Sequence, residues 1–328
     1  MQTKLGFTKM SVAEFEHWIQ NLRVARTILR IQQHHTYVPS YAHFSGSNHF
    51  ERQDAMKKHH VVHNGWADIG QHFTIFPDGS ILTGRNIENS PACITGQNAN
   101  CICIENLGNF DIGQDIMTQQ QTDAIIAVTA ALCKRFNIAI NSNSIVYHHW
   151  FDLNSGARNN GTKNNKSCPG TNFFGGNKVT DCEANFLPLI RAKLPNNSIK
   201  TDVSAVLKYV CVKSATLNVR SKSNVASPIV KDRKPATLGA VLRVYKSENG
   251  WLKISNSLEH WINEKFVFDV KRAVVNTDTL NVRSGPGTNF QKIGSLLKEE
   301  ELFIVEENKN WCKINMEEKW VNKSFLKF

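Results

Sequence analysis

Three short segments hold the side chains best suited to chemistry: Gln33-His-His-Thr36, Tyr147-His-His-Trp150 and Lys166-Ser-Cys-Pro-Gly170. The first two place imidazoles at the C-terminal ends of predicted strands, the edge where open α/β sheets hold ligands. The third sets a thiol directly before a Pro-Gly turn. One imidazole from each pair plus a thiolate make a three-donor set for zinc. They leave a fourth position for water, as a catalytic zinc requires. Alternation along an extended strand lets only one of two neighbouring histidines face a given side, and residue type alone leaves open which one. The plainer alternatives are an ordinary strand end for each pair and a packed core cysteine. Histidine usage favours the chemical reading: of twelve, eleven lie between positions 17 and 149, with only His260 beyond. A segment rich in imidazole suits metal binding or proton transfer.

The elements that must position these groups alternate. Ser11-Val-Ala-Glu14 is a capping box ahead of Phe15, Trp18, Ile19 and Leu22 at helical spacing. Ile28–Gln33 reads as a strand and Asn48–His60 as a helix. His72–Phe76 and Ser80–Gly84 form a hairpin about Pro77-Asp-Gly79. Cys101–Leu107 is a strand, Thr118 caps a long helix through Phe136, and Ser144–His148 is a last strand. The expectation is an α/β domain with a single mixed sheet flanked by helices over residues 1–200. Pro195–Ser204 reads as a linker.

Beyond it the chain repeats. Leu217-Asn-Val-Arg-Ser221 returns as Leu280-Asn-Val-Arg-Ser284, Trp251-Leu-Lys-Ile254 as Trp311-Cys-Lys-Ile314, and Trp261-Ile-Asn263 as Trp320-Val-Asn322. Ordered matches at a nearly constant offset mean duplication. Short β-rich runs split by turns predict two small all-β barrels, 206–270 and 271–328. Residues 1–200 carry a net charge of +4 and residues 201–328 one of +7, so the shorter part is the more basic and suits an anionic polymer. At 41% hydrophobic and 20% charged residues, the chain is neither disordered nor coiled coil. Eight cysteines without a CxxC pair exclude a zinc ribbon and are too sparse for a disulfide scaffold. No apolar run is long enough to span a membrane, and Met1–Phe7 lacks a signal-peptide core. The expected site of synthesis is therefore the cytoplasm.

Gly65-Trp-Ala-Asp-Ile-Gly-Gln-His-Phe73, Phe76-Pro-Asp-Gly-Ser-Ile-Leu-Thr-Gly-Arg85, Ile104-Glu-Asn-Leu-Gly108 and the Lys-Ser-Cys-Pro-Gly box together resemble the zinc-dependent N-acetylmuramoyl-L-alanine amidases. That family includes phage lysozyme-type amidases and is shared with peptidoglycan-recognition proteins. The resemblance runs in order over roughly residues 25–195. The repeats, with Leu280-Asn-Val-Arg-Ser-Gly-Pro-Gly-Thr-Asn-Phe290, resemble bacterial SH3 domains. The first copy has Ser221-Lys-Ser-Asn224 in place of the Ser-Gly-Pro-Gly turn.

The resemblance implies a peptidoglycan hydrolase that cuts the amide between the muramic acid lactyl group and L-alanine of the stem peptide. It implies Zn2+ on His35 (before the small polar Thr36, in preference to His34), on His148 rather than His149, and on Cys168. Zinc lowers the pKa of its water towards about 7. Lys166 matches an oxyanion-stabilising lysine, and Glu105 a general base. By period two, Cys101 and Cys103 share the face of Glu105 and are expected to be packing residues, a second soft-metal site being the alternative. Gln71 stands where phage relatives carry a catalytic tyrosine; it cannot titrate but can hold a water or a carbonyl. His72 is then structural. The 20 positions from His148 to Cys168 exceed the family interval, so Asn154–Asn165 is expected to form an additional loop. The implied partners are peptidoglycan and anionic wall polymers such as teichoic acids, reached after release from the cell. A nucleic-acid role lacks any motif. A non-catalytic peptidoglycan receptor of the same fold is the alternative, and retention of the cysteine argues against it.

Overall fold

The computed structural model describes the chain except residues 25, 137, 195–205, 232–234, 257, 299–300 and 315. The expected linker Pro195–Ser204 lies outside the described residues. Two compact units result: Met1–Leu22 with Ile28–Lys200, and Arg23–Thr27 with Thr201–Phe328.

The first unit is built on one seven-stranded mixed sheet. Its strands are β1 (Gln2–Lys4), β2 (Phe7–Met10), β3 (Arg30–His35), β4 (Phe73–Ile75), β5 (Ile81–Thr83), β6 (Cys101–Asn106) and β7 (Ile145–Tyr147), in the order β1-β2-β5-β4-β6-β3-β7. The β1–β2, β2–β5 and β4–β5 pairs are antiparallel. The β4–β6, β6–β3 and β3–β7 pairs are parallel. That parallel half brings the C-terminal ends of β3, β6 and β7 to one edge, which is where His34, His35, Glu105 and His148 fall.

Local sequence explains the helices. In α1 (Val12–Asn21) the Ser11 hydroxyl accepts from the Glu14 amide while the Glu14 carboxylate accepts from the Ser11 amide, closing the expected capping box. The helix buries Phe15 and Ile19. α2 (His49–Lys58) passes into a π turn at His59–His63. In α3 (Gln119–Phe136) the Thr118 hydroxyl caps the Gln121 amide, and an apolar face from Ala124 to Phe136 is buried. Gln33 on β3 donates to Thr129 of α3 at 2.9 Å, so that helix packs on the face opposite His34. Two elements were not read from sequence: the β1–β2 hairpin, and the helical run α4 (Val179–Asp181), Cys182–Phe186 and α5 (Leu187–Lys193).

The second unit holds two apolar cores, one around Val210, Val244, Leu252 and Ile262, the other around Val275, Leu280, Ile304 and Val321. The duplication is legible atom by atom. Trp261 and Trp320 donate their indole N–H to Glu259 (2.8 Å) and Glu318 (2.7 Å), and those glutamates also pair with Lys253 and Lys313. Asn263 and Asn322 cap equivalent short 3-10 turns. The expected boundary at 270/271 falls inside a continuous strand, Val267–Val275, which pairs with Lys208–Val212 at its start and with Glu301–Ile304 further on. Among the described residues no helix is long and apolar enough to cross a membrane.

Candidate metal centre

The edge formed by β3, β6 and β7 opens into a cleft of about 650 Å³ lined by His34, His148, Cys168, Glu105, Lys166 and Gln71, among others. At its base the donor atoms of His34, His148 and Cys168, all buried, lie within 4.8 Å of one another. The Nδ1 of His34 is 3.5 Å from the Cys168 sulfur, and the His34 and His148 rings meet edge to face at 4.9 Å. His148 follows directly on β7, where a short 3-10 turn swings it over the end of β3. Cys168 is brought in by the Lys166–Gly170 segment, which Asp111 fastens from across the cleft. Its carboxylate accepts from the Ser167 hydroxyl and the Thr171 amide, both at 2.9 Å.

Of the two neighbouring histidines, the structure brings His34, not the expected His35, to these donors. His35 is not in the cluster: its Nδ1 accepts from the Phe110 amide at 3.1 Å, and its ring packs against Phe110 and Tyr37. It contributes its backbone N–H, 3.4 Å from the Cys168 sulfur. The physical reason is register. His34 is the parallel-sheet partner of Glu105, and His35 of Asn106. In-register neighbours share a face, so Glu105 and His34 go together.

Burial sets the electrostatics. Burial is the first cause lowering the rings of His34, His35 and His148; the nearby Lys166 charge adds to it at all three, and Asp111 opposes it at His35. His34 is held well below its ordinary range, His35 is lowered to about 4 and His148 to about 3. All three are neutral at pH 7, the form that ligates metal. Burial and the Glu105 charge push the Cys168 thiol up, and a bound cation reverses that for a coordinating sulfur. Burial also raises the Glu105 carboxyl to about 8, Lys166 partly opposing. His34 Nε2 is buried without a hydrogen-bond partner. Two neutral imidazoles, a thiol, a stranded ring nitrogen and donors this close together fit zinc.

These shifts predict a pH-dependent stability for the metal-free chain. Each lowered histidine contributes stability that is present above pH 6.5 and is lost as pH falls towards its folded value. The loss between pH 6.5 and 5 is about 2 kcal/mol per ring. Glu105 runs the other way: its contribution is present below pH 4.5 and is lost as pH rises through about 8, so it offsets roughly one ring on acidification. Denaturant titrations in chelator should show a net fall from pH 6.5 to 5, steeper in Glu105→Gln. A flat profile would contradict the burial argument.

Gln71 is fully buried, donating to the Thr74 hydroxyl at 3.0 Å and leaving Oε1 unpartnered. His72 is structural, accepting from the Cys103 amide through Nδ1 and donating through Nε2 to the Asn89 carbonyl. The Asn154–Asn165 stretch is a loop held by its own asparagines, Asn165 donating to Asn159 and to the Phe151 carbonyl. Cys103 is not a packing thiol as expected: it forms a disulfide with Cys93. Cys101 is buried outside the disulfide, its thiol donating to the Gln97 carbonyl at 3.0 Å. A further wall of the cleft, not expected from sequence, is formed by Trp66 and His60, whose tilted rings pack with centroids 4.7 Å apart.

Residues 25–171 match the family model described as N-acetylmuramoyl-L-alanine amidase, and residues 278–327 the one described as bacterial SH3 domain. Peptidoglycan-recognition protein SC2 of Drosophila melanogaster is 31% identical over 119 residues, which is 36% of this chain and 56% of the relative. The chain thus spans little more than half the length of that relative. Among solved structures, the endolysin N-acetylmuramoyl-L-alanine amidase LysCS from Clostridium intestinale is 25% identical, with a TM-score of 0.34 over 52% of this chain and 85% of that one. Drosophila PGRP-LB is 19% identical, with a TM-score of 0.38 over 55% of this chain and 89% of that one. The chain therefore carries an N-acetylmuramoyl-L-alanine amidase family domain at residues 25–171 and a bacterial SH3 domain at residues 278–327.

Proposed function

We propose that the chain is a zinc-dependent N-acetylmuramoyl-L-alanine amidase acting at the cell wall, with His34, His148 and Cys168 as the metal ligands. The observation that carries this reading is the convergence of those three donors with Glu105 and Lys166 in one cleft. Zinc, when bound, supplies a Lewis acid and an activated water. Glu105 takes the proton of the attacking water and returns it to the departing L-alanine amine. Lys166 stabilises negative charge on the carbonyl oxygen as it develops. The Gln71 carboxamide, buried and half-satisfied, orients a water or a substrate amide.

The test is chemical. Digested walls should gain free L-alanine amino termini without new reducing sugars, chelation should stop this, and zinc should restore it. New reducing ends, or full activity without metal, would overturn the assignment. A receptor would bind muropeptide and release nothing.

The second unit, by this proposal, binds the wall and its anionic polymers. A chain ending at position 200 should cleave soluble muropeptide near the full rate yet lyse walls at least about tenfold more slowly, because linked modules raise effective concentration without adding catalytic contacts. Binding by 206–328 should weaken with salt. Equal wall lysis by both chains would remove the targeting role.

A further inference from the structure

Behind the metal cluster lies a second group of soft donors that the proposed reaction does not use. Cys93 and Cys103 are joined by a disulfide; Cys103 is fully buried on β6, whereas Cys93 is half-buried and lines the cleft. Their sulfurs and a ring nitrogen of His34 lie within 4.8 Å of one another. The backbone holds both cysteines in place independently of the sulfur–sulfur bond. The Cys93 and Ile94 amides donate to the Asn98 side chain at 3.0 and 3.1 Å. The Cys103 amide donates to His72 at 3.0 Å, and its carbonyl accepts from the His72 amide at 3.0 Å. Opening the disulfide therefore leaves two thiols fixed beside an imidazole.

We propose that reduction of Cys93–Cys103 creates a second metal site, formed by the two cysteine thiolates and His34, that takes a thiophilic d10 dication such as zinc or cadmium. Two thiolates and an imidazole are a ligand set such ions favour. The redox step is a two-electron exchange. A dithiol of the reductant attacks Cys93, the sulfur open to the cleft, and becomes a disulfide itself; its two protons pass to the Cys93 and Cys103 sulfurs. Binding the dication then releases those two protons to solvent. Both donor sets draw on His34, so the reduced pair competes with His148 and Cys168 for that ring. This competition rests on the metal reading given above. The dithiolate site itself does not.

Cadmium is the probe, because thiolate ligation gives it an ultraviolet charge-transfer absorption that scales with sulfur count. In full-length Cys168→Ser, oxidised protein should show no such band. After anaerobic reduction with a phosphine, which leaves as its oxide, and removal of excess reagent, a band of two thiolates per ion should appear. Adding Cys93→Ser should halve it. Adding His34→Ala should weaken cadmium binding at least about tenfold, given that even outer-shell losses cost 10–100-fold. The five other cysteines outside the disulfide are buried and the same in both redox states, so they form a constant background. In the unsubstituted chain, reduction should roughly double the thiolate signal per ion. Identical spectra before and after reduction would overturn the proposal, and unchanged affinity in His34→Ala would remove that ligand from it. Failure of oxidised wild type to bind cadmium through one thiolate would count against the His34–His148–Cys168 set alone.

Discussion

Substituting His34 by alanine should strip the centre of zinc, while His35→Gln should leave it loaded. His34 presents a ring nitrogen 3.5 Å from the Cys168 sulfur and belongs to the three-donor cluster; His35 spends its Nδ1 on the Phe110 amide. Loss of a direct ligand should exceed the 10–100-fold typical of outer-shell changes, so zinc affinity should fall by more than about 100-fold in His34→Ala. In His35→Gln the side-chain oxygen can still accept from Phe110 and the backbone N–H still reaches Cys168, so affinity should stay within about tenfold of the parent. Cys168→Ser should behave like His34→Ala, because a neutral hydroxyl is a poor substitute for thiolate with a soft ion. Equilibrium dialysis against zinc reads all three variants directly. Retention of metal by His34→Ala with loss in His35→Gln would restore the assignment made from motif position.

That assignment shows where sequence stops being informative. The motifs pointed to the strand end, the cysteine and the second histidine pair from which the structure draws the clustered donors, because Gly, Pro and His at fixed spacing are local signals. Choosing within Gln33-His-His-Thr36 needs the phase of β3 against its neighbours, and phase is a long-range property. The strand expected over Ile28–Gln33 runs over Arg30–His35 instead, carrying both histidines inside the paired region. Had Glu105 been used as the anchor, parallel register with β6 would have selected His34. The disulfide was hidden for a related reason. Period two correctly put Cys103 on the face of Glu105, but its partner Cys93 sits in a loop whose path depends on Asn98 and Gly70 contacts. Capping boxes and the hairpin at Pro77-Asp-Gly79 were legible because a few adjacent residues determine them. The helical run from Val179 carries no comparable start signal: Lys178, not Ser, Thr, Asp or Asn, precedes it.

The largest effect on turnover at full zinc content should come from Glu105. Its carboxyl sits in the cleft, pushed up to about 8 by burial and partly held down by Lys166. A dication beside it favours the carboxylate, the form that can accept a proton. Positioned acid–base groups contribute about 10²–10⁴-fold, so Glu105→Gln should lose turnover in that range. The amide keeps shape and volume and cannot accept the proton. Lys166→Ala removes a cation from the developing oxyanion and should cost about 10²–10³ in kcat with little change in KM, since the charge it meets exists mainly in the transition state. Gln71→Ala should cost less than either. Its Nε2 already serves Thr74, and only the unpartnered Oε1 remains to act on water or substrate. Soluble muropeptide is the substrate to use, so that wall binding by the second unit does not enter the rate, with zinc measured on every preparation. Near-full turnover in Glu105→Gln beside a dead Gln71→Ala would move the proton acceptor away from β6, to a water held by Gln71.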